Sequence, residues 1–232
     1  MPWPSPAPAL LCAVVAALAS AALTPVVLRA LPEPDDPDGK PPYAALSTPR
    51  FHGTVGLAAL VAGSVVTATL PWQHWPAWAA LATVGVLACT IDAHTTWLPL
   101  PLARAGWAVA AIGVLVVSLT SAAWTPALAA ATGALVLGGL FHLLWRLTGA
   151  FGYGDVRLAA TIGAVTALDS ASLVMGSLVL GSATGAAIGL GHRLAGGRGP
   201  FPYGPGLLAG PFLALAARDA LAGAGLSWPA TG

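Results

Sequence analysis

The 232-residue chain has little charge. Lys, Arg, Asp and Glu make up 7% of it, against 57% hydrophobic residues. A soluble domain is about one quarter charged, so this chain has too few ionic side chains to dress a surface that faces water. Lysine is almost missing, Lys40 being the only one. The formal net charge of +1 excludes nucleic-acid binding by bulk electrostatics. The stretch from Met1 to Pro8 holds no Lys or Arg, whereas a secretory signal peptide opens with a positive region. The first apolar stretch therefore reads as a retained helix. Cysteine is scarce as well. Cys12 and Cys89 fall in separate apolar segments and read as small buried residues, not as a disulfide or a metal site. The histidines, His52, His74, His94, His142 and His192, are scattered without ligand spacing. No metal and no other cofactor is expected.

Long apolar runs take the place of charge. A bilayer-spanning helix needs roughly 20 apolar residues. Eight segments qualify, two of them short: Ala9–Leu31, Gly53–Leu70, Pro76–Ile91, Ala103–Thr120, Pro126–Leu147, Val156–Leu168, Ser170–Gly191 and Gly204–Leu221. Runs without polarity alternation are not barrel strands. The expected fold is all-α, a polytopic membrane bundle of about eight helices in a lipid bilayer. With the N-terminus outside, the inner loops collect Arg29, Lys40, Arg50, Arg104, Arg146, Arg157, Arg193 and Arg198, and only Arg218 falls outside, as the positive-inside rule requires. Tryptophans mark the same boundaries, with Trp72, Trp75, Trp78 and Trp124 at outer ends and Trp97, Trp107 and Trp145 at inner ones. Residues 1–52 form a first helix and a short inner linker, and residues 53–232 the main membrane domain. Gly181, Gly185 and Gly189 have the spacing of tight helix packing.

Carboxylates beside a membrane span are costly, at roughly 2.5–3.5 kcal/mol at the helix centre on insertion scales, so each requires a reason. Glu33, Asp35, Asp36 and Asp38 cluster in the first inner loop, where they read either as a solvated linker or as an attractor of basic peptides. Asp169 in an outer turn and Asp219 beside Arg218 are accounted for by solvation or local pairing. Asp92 and Asp155 differ, because the topology puts both on the inner face. Asp92 ends the third segment and Asp155 begins the sixth, within Gly152-Tyr153-Gly154-Asp155. Two carboxylates brought together can share a proton, one activating water while the other protonates a carbonyl, which is peptide hydrolysis without metal or covalent intermediate. Gly152 and Gly154 would admit unusual backbone angles or a close neighbour. An ordinary loop-to-helix turn would also account for the Gly-Tyr-Gly-Asp motif. The helix dipoles favour charge on Asp155, at a helix start, over Asp92, at a helix end.

Phe151-Gly-Tyr-Gly-Asp155-Val-Arg-Leu158 resembles the glycine-x-glycine-aspartate motif of the type IV prepilin peptidases. Ile91-Asp92-Ala-His-Thr-Thr-Trp-Leu98-Pro99 resembles their first catalytic motif, and Phe201-Pro-Tyr-Gly204-Pro205-Gly206 the segment that opens their last helix. The resemblance covers roughly Gly53 to Leu221. It implies an aspartic endopeptidase of a bacterial inner membrane that cuts the leader from prepilins or pilin-like pseudopilins at the cytoplasmic face. Asp92 and Asp155 match the catalytic acids, and Gly152, Gly154, Arg157, Pro99, Gly204 and Pro205 match motif positions. Arg157 stands where the family usually has lysine, and Leu100 where it usually has Asp or Asn. Bifunctional members carry paired Cys-x-x-Cys motifs after the first helix and also N-methylate the product. Here the segment Arg29–His52 is short and free of cysteine, so no methyltransferase step is expected. A related intramembrane aspartic protease with another substrate, a pilin-binding relative without activity and a proton- or cation-coupled transporter are the alternatives. Transporters usually hold their ionisable groups near the midplane within inverted repeats.

Overall fold

The computed structural model describes residues 6–33, 39–149, 151–199 and 201–223, apart from the side chains of residues 6 and 219–223. Asp35, Asp36, Asp38 and the side chain of Asp219 lie outside the described residues. Helix accounts for 83% of the described residues, and no strand occurs among them. The helices are α1 (Pro6–Ala30), α2 (Pro49–Thr69), α3 (Trp75–Ala79), α4 (Val86–Thr95), α5 (Leu100–Thr120), α6 (Thr125–Thr148), α7 (Tyr153–Thr166), α8 (Ala171–Leu194) and α9 (Gly204–Gly223). Their ends follow from local chemistry. Thr48 caps α2 by accepting from the Phe51 N–H, with Pro49 at the first helical position where no N–H is needed. Ser170 caps α8 through the Leu173 N–H. Gly149 ends α6 in the left-handed conformation, φ +62°.

Among the described residues, six stretches are long and apolar enough to cross a membrane: Ala7–Ala30, Pro49–Thr69, Trp72–Thr95, Leu100–Thr120, Thr125–Thr148 and Ala171–Leu194. The structure is therefore a helical bundle that fits a multi-pass membrane protein. Its lateral faces are apolar, with Leu119 70% and Leu135 75% exposed, a cost in water that lipid removes. Of the eight segments expected, the sixth corresponds to α7, only 14 residues long, about 21 Å at 1.5 Å per residue. The eighth corresponds to α9.

The third segment departs from a single helix over Pro76–Ile91. Trp72–His74 forms a 3-10 turn, α3 follows, Ala80–Gly85 winds as a π-helix, and α4 continues to Thr95. A π turn carries an extra residue per ring and so rotates every later side chain about the axis, which sets the face that Asp92 presents. Trp78, expected at a headgroup boundary, is fully buried. Its indole N–H donates to Asp169 Oδ2 at 3.1 Å, and His74 Nδ1 lies 2.8 Å from Asp169 Oδ1. The α7–α8 turn is thereby tied to the start of α3.

Small residues bring the helices that surround the site into backbone contact. Gly133 of α6 meets Gly163 of α7 so closely that a Cβ on either would strike the other's carbonyl. The expected packing role of Gly181, Gly185 and Gly189 is found on α8. A Cβ at Gly181 would lie 2.9 Å from the Leu207 carbonyl oxygen, one at Gly185 would strike the Tyr203 ring, and one at Gly189 would lie 2.7 Å from Phe201 Cζ. In lipid, where apolar side chains gain little by leaving solvent, such close van der Waals approach is a main source of helix association. It fixes α9, and with it the position of Gly204.

Candidate active site

Asp92 and Asp155 come to the same end of the bundle. Asp92 lies on the last turn of α4. The chain returns through α5 and α6, and α7 starts again at that end with Asp155 as its third residue. Asp92 is therefore one turn inside its helix, and Asp155 is within its helix instead of preceding it. Both are buried, 4% and 8% exposed, and both line one open cavity of ≈ 450 Å³. They stand close enough for their charges to interact. Thr96 to Pro101 form one wall, the start of α7 with Arg157 another, and Pro32 and Tyr43 of the α1–α2 loop a third.

Each carboxylate is held by one backbone N–H at a helix start. The Gly152 N–H donates to Asp155 Oδ2 at 3.0 Å, while the Asp155 N–H donates to the Gly152 carbonyl at 3.0 Å, which closes a reciprocal cap. The Gly204 N–H, at the first residue of α9, donates to Asp92 Oδ2 at 3.0 Å. This revises the dipole argument. Asp92 sits near the negative end of α4 but accepts from the positive end of α9, so both acids face helix N-termini and their own helices alone do not set the balance between them. Pro205 follows Gly204 at a position where a helix has no use for an N–H.

The motif glycines have different duties. Gly152 has φ −75° and ψ 151°, angles open to any residue, so conformational freedom is not its role and its N–H is. Gly154 is required by space, because a Cβ there would lie 2.6 Å from Leu98 Cβ. At Gly204 a Cβ would lie 2.8 Å from Asp92 Oδ2. Pro99 is buried and caps α5. Arg157 lies over Tyr153: its guanidinium carbon stands 4.8 Å from the centre of the ring, a cation–π distance. His94 turns its Nδ1 to the Thr90 carbonyl at 2.9 Å and is exposed.

Aromatic rings set the spacing of the two motifs. Phe151 packs edge-on against Phe141 of α6, with centres 5.5 Å apart, and against Tyr203, 5.0 Å away. Tyr203 in turn meets Phe201 at 6.2 Å. Such contacts are directional, and this chain of rings links the turn that carries Asp155 to the turn that presents Gly204 to Asp92.

Sequence reasoning missed the contribution of the α1–α2 loop. Lys40 Nζ donates to Thr96 Oγ1 at 2.8 Å and lies 4.4 Å from the centre of the Trp97 ring. Tyr43 is 4% exposed, and its N–H donates to Glu33 Oε1 at 2.8 Å. Burial, and then the Glu33 charge, push the Tyr43 phenol above its ordinary pKa, so it faces the cavity as a neutral hydroxyl. The signal available in the sequence was that the only lysine falls in the linker assigned to the same membrane face. Comparison of the chain with protein-family models, curated proteins and solved structures finds no match in any of the three.

Proposed function

We propose that the chain is a membrane-embedded aspartic endopeptidase of the prepilin-peptidase type, with Asp92 and Asp155 as its catalytic pair. The observation that carries this reading is the pairing of two buried carboxylates across one open cavity, each oriented by a backbone N–H. One carboxylate takes a proton from a water held between them. The resulting hydroxide adds to the substrate carbonyl carbon, and the other acid gives its proton to the carbonyl oxygen. The diol then collapses. The C–N bond breaks, the leaving nitrogen takes the proton held by the first acid, and the second acid recovers its own from the diol hydroxyl. One water and one peptide bond are consumed, and both acids return to their starting states.

The substrate class follows from the three motifs in family order: the leader of a prepilin or pseudopilin. The finer membrane arrangement belongs to the same proposal. Eight spans with the N-terminus outside place Arg29, Lys40, Arg50, Arg104, Arg146, Arg157, Arg193 and Arg198 at the site end of the bundle, which makes that end cytoplasmic in a bacterial inner membrane. The cysteine-free linker supports cleavage without N-methylation. The test is a cleavage assay in membranes with a candidate prepilin. The intact protein is expected to release the leader, and Asp92→Asn and Asp155→Asn are expected to release none while still inserting. Cleavage at the intact rate by either variant would end the reading.

A further inference from the structure

The α1–α2 loop brings the chain's only lysine against the wall of the site. Lys40 is half-buried and hydrogen-bonds Thr96, which is itself anomalous. Thr96 closes α4 with φ +56°, in the left-handed region. That region suits glycine and is unfavourable for a β-branched residue. Its N–H donates to the Asp92 carbonyl at 2.7 Å. A threonine is thus kept where glycine would close the helix more easily, and its hydroxyl receives the lysine. Trp97 offers its ring face to the same ammonium. Thr96, Trp97 and Asp92 all line the cavity, and Pro32 and Tyr43 of the same loop cover its third side.

We propose that Lys40 is a positioning residue of the aspartate pair: docked on Thr96 and Trp97, its ammonium clamps the end of α4 and so holds the Asp92 carboxylate toward Asp155. This rests on the peptidase reading for its catalytic meaning, and on the docking geometry alone for its structural content. The strained threonine is the feature that distinguishes a clamp from a passing surface contact, because local strain persists only where surrounding contacts over-determine it.

Because Lys40 has no competitor but the terminal amine, its reaction with a water-soluble acylating reagent, mapped by mass spectrometry, reads the docking directly. In the intact membrane protein Lys40 should acylate about tenfold or more slowly than in the denatured chain, the loss of one charge-assisted hydrogen bond being worth about that factor. Thr96→Gly removes the acceptor hydroxyl and relieves the backbone, so the variant should fold well. It should expose Lys40 to the reagent and lower kcat on a prepilin. A merely structural Thr96 would instead give a more stable protein with unchanged kcat. Lys40→Met should lower kcat by about tenfold with KM within about twofold, and Lys40→Arg should recover part of the loss. Acylation as fast as in the denatured chain, unchanged kcat in Lys40→Met, or equal activity of the Met and Arg variants would overturn the proposal. A protein that cuts no prepilin yet shields Lys40 until Thr96 is changed would refute the peptidase reading and leave the clamp standing.

Discussion

The two ends of the bundle each bury a carboxylate, and they treat it in opposite ways. At one end Asp169 is closed in by the His74 imidazole at 2.8 Å and the Trp78 indole at 3.1 Å. At the other end Asp92 and Asp155 face an open cavity, each with one backbone N–H as its tie and each other as charged company. A buried carboxylate that accepts from an indole and lies against an imidazole joins elements. One left facing a second carboxylate and an open space is an expense to the fold that chemistry explains. The same residue type is thus an anchor in one place and a reagent in the other.

The largest effect should separate the two ends in sign as well as size. Asp92→Asn or Asp155→Asn is expected to lower prepilin cleavage by about 10³-fold or more, since each acid acts directly on the reacting groups. Thermal stability in detergent should stay level or rise, because removing a carboxylate relieves the repulsion within the pair. Cleavage rates and melting temperatures of the same preparations check both halves. A dyad variant that loses stability along with activity would place the acids with Asp169 among the anchors.

Next in size is Gly154→Ala. The added methyl would lie 2.6 Å from Leu98 Cβ, so the start of α7 must move away from the wall that carries Pro99. Displacement of a catalytic group by about 1 Å can cost about 100-fold in rate, and a loss of roughly 10- to 100-fold in kcat is expected. Leu98→Ala clears the space. The double variant should therefore be more active than Gly154→Ala alone, which a local loss of folding would not produce.

How far the sequence reveals this arrangement depends on the range of the interaction. The apolar runs and their caps are local, so the helices can be read from them. The shared face of Asp92 and Asp155 follows from counting crossings. The π turn at Ala80–Gly85 leaves no mark of its own in an apolar run, and the third segment was expected to end at Ile91 because the apolar run stops at Asp92, whereas α4 continues to Thr95. Lys40 meets Thr96 across 56 residues, and Gly204 meets Asp92 across 112. Nothing in a single sequence states which N–H a carboxylate will accept from at such separations. The helix-dipole argument is incomplete for that reason: it used only the helix to which Asp92 belongs.

Asp169→Asn tests the anchoring end. The amide keeps the shape but gives up the charge that accepts from Trp78 and faces His74. A hydrogen bond to a charged group is worth about 1.5–3 kcal/mol, and a loss of stability of that order is expected. The kcat on a prepilin should change by no more than about threefold, since the site lies at the other end of the bundle. Melting temperature and kcat measured on one preparation provide the check.

The smallest effect should come from Gly152→Ala, although the residue belongs to the motif. Its φ of −75° and ψ of 151° suit alanine. A Cβ there would meet Asp155 Oδ2 at 3.5 Å, an ordinary contact, and the N–H that holds Asp155 is kept. Alanine is a poorer helix cap than glycine by a modest amount, within about 1 kcal/mol, so kcat should fall by no more than about threefold. Gly152→Pro is the informative partner. Proline accepts the same φ but has no N–H to donate, so Asp155 loses the backbone tie from position 152 and kcat should fall at least tenfold beyond the alanine variant. Measured side by side on one prepilin, the two variants ask whether the position contributes its freedom or its donor. Equal losses in both would mean that the Gly152 N–H does not orient Asp155, and that the open end holds its acid by some other contact.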